Sequence, residues 1–294
     1  MAMMAEIFAV IAPIFVLAGL GFIWAKRRLP FPTDSIGLLA TNIGTPCLVI
    51  ATLIKADISR DDLGLMALAT LLALSSFLLL GAAALYLLKL PMRSFLPSLG
   101  FPNTGNAGLS LCLFAFGAPG LALGLVFFAI TSFGNFAVGQ SIYAGRGNWR
   151  EVARSPVVYA VPLAALGNIF QVELPLFLMR SLETAGSIAI PLMMLTLGVS
   201  LANLRVTELR VALLLTALRL GFGLAVGVAL AWAFGLTGVA RGVLIIQCAM
   251  PVAVMNAIFA ARYNRDPAAV AGLVVVSTLI SFATLPLLLL LALE

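Results

Sequence analysis

Long apolar runs alternate with short polar segments along nearly the whole chain. Ten runs approach the roughly 20 residues that a membrane-spanning helix needs. They cover residues 6–25, 35–54, 63–88, 94–115, 119–143, 155–172, 182–203, 209–234, 239–261 and 267–292. The pattern therefore predicts an all-α integral membrane protein with ten transmembrane helices and no sizeable soluble domain.

The chain has 294 residues, of which 63% are hydrophobic and 10% are charged. Soluble domains carry about 25% charged residues, so the composition supports a membrane protein. The chain has no histidine, and Cys47, Cys112 and Cys248 match neither metal-ligand spacing nor a disulfide framework. With acidic residues predicted only in loops and termini, we expect no enzyme activity, no metal, no cofactor and no nucleic-acid partner.

Basic residues fall unequally on the two sides of the predicted bundle. One side receives Lys26, Arg27, Arg28, Lys89, Arg93, Arg146, Arg150, Arg154, Arg205, Arg210, Arg262 and Arg265. The other side receives Lys55, Arg60, Arg180 and Arg241. Because basic loops stay on the cytoplasmic side, this bias predicts a multi-pass protein of the cell membrane with both termini extracytoplasmic.

Two of the apolar runs are interrupted by a proline in the same relative place. These are Pro102, within 99–109, and Pro251, within 247–257. Proline removes an i→i−4 hydrogen bond, and a broken helix survives in a bilayer only where it faces protein or water. Paired breaks in two halves of a chain are typical of a transporter's binding site.

The two halves also share other landmarks at a nearly constant offset. Pro46 aligns with Pro191, Pro102 with Pro251, and Gly124 with Gly272, at offsets of 145 to 149 residues. Because each half holds five helices, the second copy must be inverted in the membrane. The predicted organisation is a first repeat over 1–143, a cytoplasmic linker over 144–154 and an inverted repeat over 155–294.

The motifs at the two breaks resemble those of the auxin efflux carrier family. Residues 101–111 read FPNTGNAGLSL, similar to the fourth helix of that family. Residues 249–263 read AMPVAVMNAIFAARY, and with 266–268 and 277–281 they resemble its ninth and tenth helices. The short central linker is similar to that of bacterial members, so the resemblance implies a bacterial inner membrane, and the likeness spans almost the whole chain.

This resemblance implies a fold of the sodium/proton antiporter and bile-acid symporter type, in which helices 4 and 9 break and cross. It implies a scaffold of helices 1, 2, 6 and 7, often a homodimer interface, and a mobile transport domain of helices 3–5 and 8–10. Bacterial relatives are associated with malate and malonate, and plant relatives with indole-3-acetate. The expected partners are thus the lipid bilayer, a second copy and a small organic anion.

The residues after each proline would open a new half-helix, whose first turn has unpaired N–H groups and a partial positive charge. Such an end near the bilayer midplane is a ready anion site. The predicted substrate-binding residues are Pro102, Asn103, Thr104, Gly105, Asn106, Pro251, Val252, Asn256 and Arg219. Further candidates for the cavity wall are Asn42, Thr131, Asn135, Ser277 and Ser281, although such residues more often join helices by hydrogen bonds.

Arg219 falls well inside a predicted helix, about 13 Å beyond Arg210 along the axis. Three partners are open: an anionic substrate, carbonyl groups freed at a helix break, or the cytoplasmic surface reached by snorkelling.

The function predicted from these features is elevator-type alternating access for a small organic anion. No carboxylate is predicted in the core, which argues against obligatory cation antiport. Two alternatives remain: a sodium-coupled symporter of the bile-acid type, and a membrane sensor that binds its ligand without moving it.

Overall fold

The computed structural model describes residues 2–56, 59–145, 156–204 and 206–293, and the regular secondary structure in these ranges is helical. The α-helices are α1 (Ala2–Lys26), α2 (Thr33–Leu39), α3 (Thr45–Ile54), α4 (Arg60–Leu87), α5 (Met92–Gly100), α6 (Ser110–Gly134), α7 (Gln140–Ala144), α8 (Pro156–Ile169), α9 (Leu176–Ser187), α10 (Ala189–Asn203), α11 (Leu209–Ala233), α12 (Gly238–Cys248), α13 (Val254–Arg262) and α14 (Pro267–Leu293). Three π-helical segments join some of them: π1 (Ala40–Gly44), π2 (Thr104–Leu109) and π3 (Asn135–Gly139).

Seven helical stretches in the described residues are long and apolar enough to cross a membrane. They are Ile7–Lys26, Ser35–Ile54, Asp61–Leu87, Thr104–Ala144, Leu176–Asn203, Leu209–Ala233 and Pro267–Leu293. The prediction of an all-α, multi-pass membrane protein is therefore confirmed. The count of ten transmembrane helices stays a prediction, because the remaining helices are shorter than a full span. The inverted repeat also stays a prediction.

The stretch Thr104–Ala144 has 41 residues, which would extend for about 60 Å as one straight helix. It does not run straight, because Gly117 has φ 64° and ψ −149° and breaks the helical path. This backbone region is essentially restricted to glycine. The chain therefore changes direction at Gly117, between the predicted fourth and fifth helices.

Helices α1 and α10 pack backbone to backbone. A Cβ atom at Gly21 would lie 2.1 Å from the carbonyl oxygen of Leu195, and one at Gly198 would lie 1.9 Å from that of Ala18. Only glycine permits this approach, so the backbones of the two helices lie in direct contact. One face of α10 is thereby fixed beside the cavity described below.

The predicted linker over 144–154 lies outside the described residues from position 146 onward. The basic residues Arg146, Arg150, Arg154 and Arg205, which contribute to the predicted orientation, also lie outside them.

Candidate functional site

The two interrupted helices cross at their breaks. Helix α5 ends at Gly100 and π2 begins at Thr104, whereas α12 ends at Cys248 and α13 begins at Val254. Between these ends, Pro102 and Val252 form an isolated antiparallel bridge. The Asn103 amide donates to the Pro251 carbonyl at 2.7 Å, and the Ala253 amide donates to the Phe101 carbonyl at 3.4 Å. Each break therefore supplies hydrogen-bond partners for backbone groups of the other break.

Two buried side chains complete the hydrogen bonding of the crossing. Asn256 Nδ2 donates to the Phe101 carbonyl at 3.1 Å, and the Val252 amide donates to Ser277 Oγ at 3.2 Å. Asn256 and Ser277 are both fully buried. Because unpaired backbone groups are costly in an apolar interior, these two side chains stabilise the extended residues.

Asn103 is the N-cap residue of π2. Its Oδ1 accepts from the Asn106 amide at 3.3 Å, as expected of an asparagine at a helix N-cap. Next to it, Thr104 Oγ1 lies 2.9 Å from Thr131 Oγ1, which ties this helix end to α6. Gly105 allows a close approach, since a Cβ there would lie 2.7 Å from Cε2 of Phe128.

A cavity of about 610 Å³ opens beside the crossing. Its walls come from α2 with π1, from residues 101–106, from α6 with π3, from α10, and from the start of α13. Its polar lining residues are Thr33, Thr41, Asn42, Asn103, Thr104, Asn106, Thr131, Ser132, Asn135, Thr196 and Ser200. The larger apolar ones include Phe101, Phe128, Phe136, Met193, Met255 and Ile258. Among the described residues, no charged side chain lines this cavity.

Each π-helical segment contributes residues to this one cavity. Asn42 belongs to π1, Asn106 to π2, and Asn135 to π3. A π-helical turn widens the helix, and such turns occur frequently at functional sites. Their convergence favours the cavity as the functional site of the molecule.

Three polar atoms on the cavity residues are buried without a hydrogen-bond partner in the described part of the chain. They are Asn103 Nδ2, Asn135 Oδ1 and Thr196 Oγ1. Buried polar groups normally have partners, so these atoms are candidates to bind a ligand. They offer a donor, an acceptor and a hydroxyl group.

Arg219 lies behind the crossing and is absent from the cavity lining. Its side chain is fully buried, which excludes snorkelling to the surface. Nη1 donates to the Leu99 carbonyl at 3.0 Å, Nε donates to the Met250 carbonyl at 3.2 Å, and Nη2 donates to the Cys248 carbonyl. Its partners are therefore carbonyl groups freed at the two breaks.

The predicted site residues thus fall into two groups. Those that line the cavity are Pro102, Asn103, Thr104, Gly105, Asn106, Asn42, Thr131 and Asn135. Those that lie outside its lining and are buried in the crossing or in the helices around it are Pro251, Val252, Asn256, Arg219, Ser277 and Ser281.

Several lining residues were missed from the sequence. Thr196 and Ser200 are four residues apart on α10, so they share one helix face towards the cavity. This spacing is visible in the sequence, but it does not show which face meets the break. The aromatic residues Phe101, Phe128 and Phe136 gave no signal, since aromatic side chains are common throughout such helices.

The helical bundle, with two interrupted helices that cross beside a cavity, belongs to the class of multi-pass membrane proteins. The family described as "Membrane transport protein" matches residues 142–289, which is half of the chain. The chain is also 30% identical over 140 residues to Auxin efflux carrier component 1 of Arabidopsis thaliana. That match covers 45% of this chain and 22% of the plant protein, so it spans about a fifth of that relative.

The chain therefore belongs to this membrane transport protein family, that of the auxin efflux carriers, and the resemblance seen in its motifs is confirmed. The family is one of transporters, which agrees with the expectation that the chain is not an enzyme.

Proposed function

We propose that this protein carries a small organic anion across the membrane, with the anion bound in the cavity at the crossing. The observation that carries the proposal is the antiparallel bridge between Pro102 and Val252 at the edge of that cavity. It supports a binding site of the kind found where discontinuous helices meet in secondary transporters.

An anion can be bound here without a basic side chain. The N-terminal ends of π2 and α13 carry partial positive charge, and residues from both ends line the cavity. Asn103 Nδ2 adds a buried donor without a partner among the described residues. The aromatic and methionine side chains nearby favour a carboxylate with an apolar body, such as an auxin-like molecule, over one with several charges, such as malate or malonate.

The proposed motion is a slide of helices 3–5 and 8–10 against helices 1, 2, 6 and 7, as part of a ten-helix inverted repeat. In its favour, both groups of helices contribute to the cavity wall: α2 and α10 belong to the first group, and the crossing and α6 belong to the second. Its lining extends to Thr33, Ser200 and Ile258, each a few residues from a basic loop. By the positive-inside rule, the cavity then opens towards the cytoplasm.

Uptake of radiolabelled indole-3-acetate, malate and malonate into proteoliposomes tests the proposal. We expect Asn106→Ala to lower uptake about tenfold or more, because a hydrogen bond to a charged group contributes about 1.5–3 kcal/mol. We expect Pro102→Ala to lower uptake as well, because alanine restores the N–H that proline lacks and so weakens the helix break that forms the site. Asn203→Ala is the matched control, since Asn203 lies exposed at the end of α10.

Each outcome of this experiment is decisive. Uptake like that of the wild type in both site variants would refute the assigned site. Uptake that requires a sodium gradient would favour a sodium-coupled symporter. Saturable binding of a probe without flux in sealed vesicles would favour a sensor.

A further inference from the structure

The C-terminal ends of two half-helices converge on one point behind the crossing. Helix α5 ends at Gly100 and helix α12 at Cys248. The last carbonyl groups of any helix lack partners within it and carry partial negative charge. Carbonyl groups from both ends, those of Leu99 and Cys248, accept hydrogen bonds from the Arg219 guanidinium, as does that of Met250 just beyond α12.

The surroundings of this guanidinium are built for a cation. Its Cζ lies 4.2 Å from the centroid of the Phe77 ring, within the range of a cation–π interaction. None of the buried polar and charged residues in the described part of the chain is an aspartate or a glutamate. The positive charge is therefore balanced by backbone dipoles and a ring face, with no carboxylate taking part.

In secondary transporters with discontinuous helices, unwound carbonyl groups and half-helix C-terminal ends are where a coupling Na⁺ is coordinated. In this protein, carbonyl groups of the same kind bind the guanidinium of Arg219, a cation that is covalently attached to the chain. We propose that Arg219 is a tethered counter-cation for the crossing, in place of a bound inorganic ion, so that no coupling cation travels at this position. The statement on coupling rests on the proposed transport function, and the electrostatic role does not.

The position of Arg219 also separates the two kinds of helix ends. The negative ends of α5 and α12 point to Arg219, whereas residues at the positive ends of π2 and α13 line the cavity. Arg219 therefore neutralises the ends that would repel an anion and lies outside the cavity itself. It is a positioning residue that acts through the crossing.

Thermal unfolding of purified variants tests the electrostatic role independently of flux. In Arg219→Ala, we expect guanidinium chloride at millimolar concentrations to raise the melting temperature by about 2–4 °C over choline chloride, because it binds the folded state. Urea has a similar shape without charge, and we expect it to give no such rise. The matched control is Arg241→Ala, in which another arginine–carbonyl hydrogen bond, to Leu291, is lost away from the crossing. There, guanidinium should have no effect.

A second pair of variants keeps the test decisive if Arg219→Ala does not fold. Arg219→Lys retains the charge, and Arg219→Gln retains hydrogen-bond donors without charge. We expect the lysine variant to melt at a higher temperature than the glutamine variant. Equal or reversed melting temperatures would overturn the proposal, as would equal rescue of Arg219→Ala by urea and guanidinium, or rescue by neither.

Flux then tests the statement on coupling. Wild-type uptake of the probe anion should be the same with sodium and with choline as the external cation, and a strict requirement for sodium would overturn this statement. The two proposals fail separately. Absence of any flux would remove the transport function and leave the melting results intact, whereas absence of rescue would remove the tethered cation and leave flux intact.

Discussion

At the residue scale, the two ends of the Asn103 amide have different roles. Oδ1 caps the new helix through the Asn106 amide, and Nδ2 is buried at the cavity without a partner in the described residues. One side chain thus contributes to stability through its oxygen and, in our proposal, to anion binding through its nitrogen.

We expect Asn103→Asp to separate these two roles. Aspartate is as good an N-cap as asparagine, and its charge is favourable at a helix N-terminus, so the melting temperature should stay close to that of the wild type. The donor is lost and a negative charge faces the anion, so uptake of the probe carboxylates should fall more than tenfold. Uptake in proteoliposomes and thermal unfolding of the same preparation measure the two effects.

Asn256→Ala is the comparison variant, in which we expect the melting temperature to change. It removes the hydrogen bond to the Phe101 carbonyl inside the crossing, and such a loss costs about 1–3 kcal/mol when the partner stays buried. We therefore expect a lower melting temperature in this variant. If Asn103→Asp were instead the less stable of the two and transported normally, Asn103 would be a structural residue.

The sequence identified the residues that follow each proline, because proline's missing N–H acts locally. It could not choose among three partners for Arg219, since Leu99 and Cys248 are 120 and 29 positions away and meet only after the helices cross. Thr196 was missed for the same reason. Contacts between distant helices can be predicted only once the fold is known, whereas a break within a helix can be predicted from the residue that causes it.

At the element scale, the turn at Gly117 separates the half-helix that starts at the crossing from the rest of α6. A Cβ at Gly117 would meet no atom within 4 Å, so space is available for a side chain. The constraint lies in the positive φ, which L-residues adopt only with strain.

We expect Gly117→Ala to destabilise the protein by about 1–3 kcal/mol, the usual cost of a residue held in a sparsely populated backbone region. The melting temperature should fall by several degrees, as measured in detergent. Gly64→Ala is the matched control, because Gly64 lies within α4 and its Cβ also meets no atom within 4 Å. There, alanine should leave stability unchanged or raise it. Equal melting temperatures for the two variants would contradict the assigned strain.

The elements that the sequence predicted well are those with long apolar runs, such as α4, α11 and α14. The three π-helical segments were not predicted, because their hydrogen-bond pattern depends on packing around the cavity. The break at Gly117 was also missed as a separate feature, although its position falls between two predicted helices. The length of an apolar run can be read from the sequence alone, whereas the widening of a helix at a π-helical turn depends on the helices packed around it.

At the scale of the whole molecule, the proposed motion requires that contacts between the two groups of helices change during transport. Phe15 on α1 and Phe282 on α14 form one such contact, with ring centroids 4.9 Å apart. Tyr143 and Phe259, with centroids 6.4 Å apart, both lie in the group that would move as one body. The two pairs therefore report on different sides of the proposed boundary.

We expect a disulfide between Phe15→Cys and Phe282→Cys to stop uptake, in a background where Cys47, Cys112 and Cys248 are alanine. Reduction should restore uptake, because the bond and not the substitutions blocks the slide. A disulfide between Tyr143→Cys and Phe259→Cys joins residues within one body and should leave the oxidised and reduced rates equal. Mass spectrometry confirms that each bond has formed. If the oxidised Phe15/Phe282 pair transports as fast as its reduced form, these helices do not slide past each other, and the anion must reach the far side by a smaller opening of the crossing.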